Sequence, residues 1–305
     1  MNDKKLILAT YAESNGQLSE VRRMAESIRT FAGKFSRSPI WVYIPNDFVI
    51  DDAALKKDLQ SLEVKIKTSH TPDEAAWLFY AGKVYAAGEA EKAAEGLASV
   101  LVFMDSDTIV LSEPTEFDLA NDKCLAFCPV MHNRSGSLYD APPDPFWSKI
   151  YQVLSISDDM LFPMITPADR QKIRAYFHIG LVVARPEKGI LRRLVNDFEA
   201  LYHDPTLADM CRKETVRKIF LHQTALAGAL HIVPQTEMQE LPGKYNYPIF
   251  FERRYESKVR FDSIEDVVTL RCVITEKDAG PDWDKRLTGP FEKIAWLKEH
   301  LFGNR

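Results

Sequence analysis

The chain has 305 residues, 46% hydrophobic and 27% charged, enough for one large core or two modest ones. A formal net charge of -5 and a pI near 5.9 supply no global basic field, so non-specific nucleic-acid binding is not indicated, although a local basic groove stays open. Cys124, Cys128, Cys211 and Cys272 lack the paired C-x-x-C spacing of a zinc site and read as reduced thiols; with no signal-like leader and no run near the roughly 20 apolar residues of a membrane span, the expectation is a soluble, cytoplasmic protein.

In chain order, residues 6–9 and 40–44 read as short buried strands. The helix between them, over 18–31, has Val21, Met24, Ala25, Ile28 and Phe31 on its apolar stripe. A helix over 53–62, a strand over 64–66, a long helical stretch over 72–94 and a strand over 100–104 follow, so the first hundred residues predict a doubly wound, mostly parallel sheet. Residues 125–130 are a further strand. The stretch 131–167 is an irregular excursion carrying Tyr139, Phe146, Trp147 and Tyr151 beside Asp140 and Asp144, a composition that suits a sugar-binding surface and equally a loop packed on the core. A strand over 176–184 precedes helices over 189–201 and 214–230; Arg212, Lys213, Arg217 and Lys218 have the helical spacing of a solvated face. A tail with 232–234, 267–274 and a helix over 291–301 closes the chain. No repeat or linker divides it, so one domain is expected, with a nucleotide-donor half over about 1–130 and an acceptor half over about 131–305.

The segment that carries chemistry is Val100-Leu-Val-Phe-Met-Asp105-Ser-Asp107-Thr-Ile-Val-Leu111. Residues two apart in an extended chain point the same way, so Asp105 and Asp107 can grip one hard cation whose other ligands are phosphate oxygens. A second D-x-D, Asp282-Trp-Asp284, lies in a Pro/Gly-rich stretch with no strand before it. Only the first follows an apolar run, and ligands of open α/β sheets gather at the carboxyl ends of strands. The bland alternative is a strand ending in a polar turn capped by one of the aspartates.

The 100–111 segment resembles the D-x-D strand of GT-A-fold nucleotide-sugar glycosyltransferases, particularly the glycogenin-like family 8 type. Further motifs agree in order over roughly residues 5 to 250. The first strand ends at Ala9-Thr10-Tyr11, a helix with Lys83 precedes the D-x-D strand, and Tyr176-Phe-His-Ile-Gly180 resembles an "aromatic-Phe-Asn-x-Gly" strand. His222-Gln223-Thr-Ala-Leu resembles an "Asp-Gln-x-x-Leu" helix, and Leu241-Pro-Gly-Lys-Tyr-Asn246 a "Leu-Pro-x-x-Tyr-Asn" segment. The chain departs from the pattern at His178, where the family has Asn, and at His222, where it has Asp. It also departs at Val267-Val-Thr-Leu-Arg-Cys-Val-Ile274, which lacks the late metal-binding His and leaves a third protein ligand unassigned.

The resemblance implies a hexosyltransferase that moves a sugar from a UDP- or GDP-sugar to a saccharide or other hydroxyl acceptor, with retention of configuration. Mn²⁺ or Mg²⁺ would be held by Asp105 and Asp107. It assigns catalytic roles to Asp105, Asp107 and Gln223. Donor contacts fall to Thr10, Tyr11, Ala12, Lys83 and Ser106, and acceptor contacts to His178, Gly180 and Asn246. Each has a bland counterpart: Lys83 as a solvated charge, His178 as a hydrogen-bonded strand histidine, Gln223 as a helix side chain bonded to backbone, Asn246 as a turn former. The departures keep open a nucleotide-sugar-binding protein without turnover. A haloacid-dehalogenase-type phosphatase fits less well, because its D-x-D opens the fold and runs on to Thr or Val where this chain has Ile109. A sugar-nucleotide pyrophosphorylase needs a Gly-rich basic loop after the first strand, and Thr10-Tyr-Ala-Glu-Ser-Asn-Gly16 has no Arg or Lys.

Overall fold

The structure, a computed structural model, describes residues 5–248, 261–272 and 288–302. Strands β1 (Leu6–Tyr11), β2 (Ile40–Pro45), β3 (Val64–Ser69) and β4 (Val100–Met104) pair in parallel in the order β4-β1-β2-β3. Helix α1 (Asn15–Phe31) starts where Ser14 accepts a hydrogen bond from the Gln17 amide, and its buried stripe runs through Leu18, Val21, Met24, Ala25 and Ile28. Helix α2 (Ala53–Ser61) is capped in the same way by Asp52. Because alternate strand residues face opposite sides, Leu6 and Leu8 of β1 pack in the layer with α1 and α2. Ile7 and Ala9 pack in the layer that holds α3 (Ala81–Ala94).

Helix α3 is rich in Ala and Gly and is buried on almost every side, so it approaches its neighbours closely. A Cβ on Gly82 would collide with the Tyr11 phenol. The helix expected over 72–94 is broken. Asp73–Ala75 forms a 3-10 turn and α3 begins only after Tyr80, whose φ of +63° is left-handed and cannot continue a right-handed helix.

Past β4, strand β5 (Thr108–Val110) leaves the main sheet and β6 (Leu125–Pro129) rejoins it. The 131–167 excursion contains helix α4 (Pro145–Val153), whose first turn has Asp144 accepting from the Trp147 amide. Its aromatic residues Phe146, Trp147 and Tyr151 are buried in the core, so for these three the sugar-surface alternative does not hold: they bury apolar area in the layer that holds α3 instead. Strands β7 (Pro163–Ile165) and β8 (Lys172–Arg174) form a small antiparallel pair before β9 (Phe177–Ala184). Strand β9 runs antiparallel between β4 and β6, giving a mixed seven-stranded sheet.

Helices α5 (Ile190–His203), α6 (Pro205–Lys213) and α7 (Thr215–Thr224) follow. The helix expected over 214–230 tightens after Thr224 into a 3-10 run over Ala225–His231, where Gly228 lies against the Asp197 carboxylate of α5. Strand β10 (Met238–Glu240) forms the sheet edge beside β6; residues 232–234, ending in Pro234, stay outside the ladder. Strands β11 (Tyr247–Pro248) and β12 (Thr269–Arg271) join β5 in a second sheet, and helix α8 (Phe291–Phe302) ends the described chain. Asp282-Trp283-Asp284 and the last residues of the 267–274 strand lie outside the described residues.

One polar contact locks the layer behind the sheet. The fully buried Glu91 of α3 accepts from the Leu191 and Arg192 amides at 3.0 and 2.8 Å, so a side chain of one helix satisfies the orphan donors of the next. Burial raises its pKa, and the two amides and Arg192 only partly oppose that. Glu91→Ala leaves both amides unsatisfied in a dry layer and is expected to lower unfolding free energy by about 2–4 kcal/mol. Urea denaturation followed by circular dichroism measures this; a change within the scatter of surface substitutions would show that the contact contributes nothing.

Candidate active site

In the order β4-β1-β2-β3 the chain reverses direction across the sheet between β1 and β4, which opens a crevice at their carboxyl ends. A cavity of about 540 Å³ lies there, with Tyr11 from the end of β1 and Met104 to Asp107 from the end of β4 on its wall. The turn that carries the aspartates is held from below and from the side. The Asp105 amide donates to the Gly180 carbonyl at 2.9 Å, and the Ser106 hydroxyl donates to Glu20 of α1 at 2.6 Å. Gly180 leaves room for this arrangement: a Cβ there would stand 2.5 Å from Asp105 Oδ2 and 2.5 Å from the His178 ring and would have to push one of them aside.

Two cations converge on the two carboxylates. Lys83, in the first turn of α3, pairs with Asp105 Oδ1. Arg271 arrives from the second sheet. Strand β12 is antiparallel to β5 with Arg271 opposite Thr108, and the Cys272 amide donates to the Asp107 carbonyl at 3.0 Å. The guanidinium then reaches Asp105 Oδ2 through Nη2 at 3.2 Å and Asp107 Oδ2 through Nε at 3.8 Å. Its Nη1 donates to His178 Nε2 at 2.7 Å. The other ring nitrogen of His178 faces the Gly180 amide at 2.9 Å and the Asn246 carboxamide at 3.2 Å.

The electrostatics follow from this packing. Burial opposes the charge on Asp105, but Lys83 and Arg271 together outweigh it and hold its pKa well below the usual carboxylate range. Asp107 is pushed up to about 7, chiefly by burial; Arg271 opposes the shift, while Asp105 and Glu20 add to it. Burial and the adjacent Arg271 keep His178 neutral. Burial, followed by Lys83, lowers His222 to about 3; its Nδ1 bonds the Ile219 carbonyl at 2.8 Å and its ring lies 4.7 Å from that of Tyr80.

Of the residues expected from sequence, Tyr11, Lys83, Asp105, Ser106, Asp107, His178 and Gln223 line this one cavity. Thr10 and Ala12 are fully buried beside it, Gly180 lies beneath Asp105, and Asn246 stands behind His178. Sequence reasoning left out Arg271, Tyr80, Glu13, Glu20, His132 and Arg134, which also line the cavity. For Arg271 a signal existed: it is the one charged residue in Val267-Val-Thr-Leu-Arg-Cys272, the stretch where the late histidine is missing.

Asp105 Oδ2 and Asp107 Oδ2 are buried and have no hydrogen-bond partner among the described residues, the state of oxygens that await a cation. Both are already approached by Arg271, and among the described residues no group of three or more His, Cys, Asp or Glu side chains is placed to hold a metal ion. As they stand, these donors do not make up a divalent-cation site.

The fold and the cavity define a GT-A-type glycosyltransferase. Residues 13–233 match the family described as the Rhodobacterales glycosyltransferase domain, and the chain belongs to that family. No curated protein sequence matches it. Among solved structures it is similar to the apo bifunctional glycosyltransferase WbbM, at TM-score 0.55 and 15% identity over 97% of this chain; it spans 52% of the WbbM chain. It is also similar to the galactosyltransferase LgtC in complex with donor and acceptor sugar analogs, at TM-score 0.51 and 12% identity over 95% of this chain and 100% of that one. Among the described residues, no helix is long and apolar enough to cross a membrane.

The raised pKa of Asp107 has a testable sign. Its folded value, about 7, lies above the ordinary 3.8, so the folded state binds the proton more tightly and loses stability as pH rises from about 4 to 7. Asp107→Asn removes the ionisation penalty. In EDTA, its Tm is expected to exceed that of the unmodified chain at pH 8 and to do so by less at pH 5. A difference that does not change with pH would contradict the assignment.

Proposed function

We propose that the chain transfers a glycosyl group from a nucleotide-sugar donor to a hydroxyl of a saccharide or similar acceptor, with retention at the anomeric carbon. The supporting observation is the convergence of Tyr11, Lys83, the Asp105-Ser106-Asp107 turn, His178 and Gln223 on one cavity at the strand ends. In this reading the nucleotide lies along Tyr11 and the end of β1, and its diphosphate reaches the floor formed by Lys83 and the aspartates. Gln223, buried in α7 beside Tyr176, faces the sugar.

The reaction breaks the bond between the anomeric carbon and the terminal phosphate oxygen, and the electron pair leaves with the nucleoside diphosphate. The acceptor oxygen forms the new bond to that carbon, and its proton passes to the departing phosphate oxygen on the same face. The protein's contribution is to position the two sugars and to hold fixed positive charge where negative charge develops. The resemblance also implies Mn²⁺ or Mg²⁺ at Asp105 and Asp107, where such an ion would neutralise the leaving diphosphate. Lys83 and Arg271 already engage those carboxylates and supply fixed positive charge at the same place.

A thermal-shift screen of nucleoside diphosphates and nucleotide sugars, with and without Mn²⁺, tests the reading, because a ligand that binds the folded state raises apparent stability. One base is expected to stand out. With the matching sugar donor, Asp105→Ala should lower donor hydrolysis and transfer by about a hundredfold or more. Release of phosphate from small phosphoesters, with no response to any nucleotide, would replace this reading with a phosphatase.

A further inference from the structure

Arg271 ends the short central strand of the three-stranded second sheet. Each of its three side-chain nitrogens meets a different residue of the cavity floor: His178 at 2.7 Å, Asp105 at 3.2 Å and Asp107 at 3.8 Å. The oxygens it approaches, Asp105 Oδ2 and Asp107 Oδ2, are the two buried oxygens of the pair that have no hydrogen-bond partner among the described residues and so are suited to a shared cation. Its seat is built from three directions. The β5–β12 register sets it opposite Thr108, the Cys272 amide ties its strand to the Asp107 carbonyl, and His178, backed by Asn246, receives its outer nitrogen. A hydrated divalent ion could bridge the aspartates only by displacing this guanidinium from a buried ion cluster, and separating buried charge partners is costly.

We propose that Arg271, seated by His178, is the built-in cation of the donor site, and that together with Lys83 it binds the diphosphate of the nucleotide without a divalent metal. The inference rests on the nucleotide-sugar reading above. A guanidinium offers a planar, permanently charged fork that matches phosphate oxygens, and Lys83 adds a point charge on the far side of Asp105. With both present, the negative charge of the aspartate pair is offset at the floor, where an incoming diphosphate would sit. Both cations line the cavity. His178 is a positioning residue in this scheme: it is held neutral and receives Arg271, and Asn246 stands behind it rather than at the cavity wall.

Isothermal titration of the full chain with UDP and with GDP, in EDTA and in Mn²⁺, tests the proposal by binding alone. For the base that binds, the affinity in EDTA is expected to lie within about threefold of that in Mn²⁺. Arg271→Gln should lose about tenfold or more in EDTA and recover part of it in Mn²⁺, because the vacated carboxylates then accept the ion. Arg271→Lys keeps the charge without the fork and should fall between; it also serves as the test variant if Arg271→Gln does not fold. His178→Phe should weaken binding in EDTA more than in Mn²⁺, a difference that a purely structural role would not produce. Binding that EDTA abolishes and Mn²⁺ restores in the unmodified chain would overturn this inference and leave the proposed transfer standing. Equal affinities of the unmodified and Arg271→Gln chains in EDTA would also overturn it. The absence of nucleoside diphosphate binding in either buffer would overturn both.

Discussion

The buried cluster of Lys83, Asp105, Asp107 and Arg271 is the constraint on which the rest of the site depends. Charges removed from water are tolerated only with close partners, and here the partners come from three separate parts of the chain. The D-x-D turn follows β4, the lysine opens α3, and the arginine ends β12. None of these elements can move far without stranding a charge. The cluster therefore ties the first-half sheet, the helical layer behind it and the small second sheet to one point.

The surrounding packing makes such close convergence sterically possible. Gly82 lets α3 approach Tyr11, and Gly180 lets β9 pass directly beneath the Asp105 carboxylate. The left-handed turn at Tyr80 ends the preceding segment, starts α3 one residue later and sets an aromatic ring beside His222 at the cavity wall. The family match is to a glycosyltransferase domain, and WbbM and LgtC share the fold. His178 stands where the resemblance leads one to expect an asparagine, Arg271 lies in the stretch where it leads one to expect a late histidine, and the two meet each other at 2.7 Å. Two separate departures in sequence are thus a single paired arrangement in space.

Much of the architecture was legible because it is written in local patterns. The stripe Val21, Met24, Ala25, Ile28 matches one face of α1, and the apolar run 100–104 matches a strand buried on both sides. The helix expected over 72–94 was misjudged at its start, since nothing local announces that Tyr80 adopts a left-handed backbone. The aromatic cluster around Trp147 was ambiguous for a different reason. The same side chains serve a core or a binding surface, and only the neighbours they reach separate the two.

By itself the sequence determined the alternation of elements and the placement of Asp105 and Asp107 at a strand end, because these depend on periodicities of two and 3.6 residues and on a spacing within three positions. Only the tertiary structure decided what the aspartates face. Arg271 lies far along the chain on a three-residue strand, and a slip of one residue in its pairing with β5 would have turned the guanidinium to the other side of the sheet. Register between distant short strands is set by the packing of whole layers, and no local pattern in the chain encodes it.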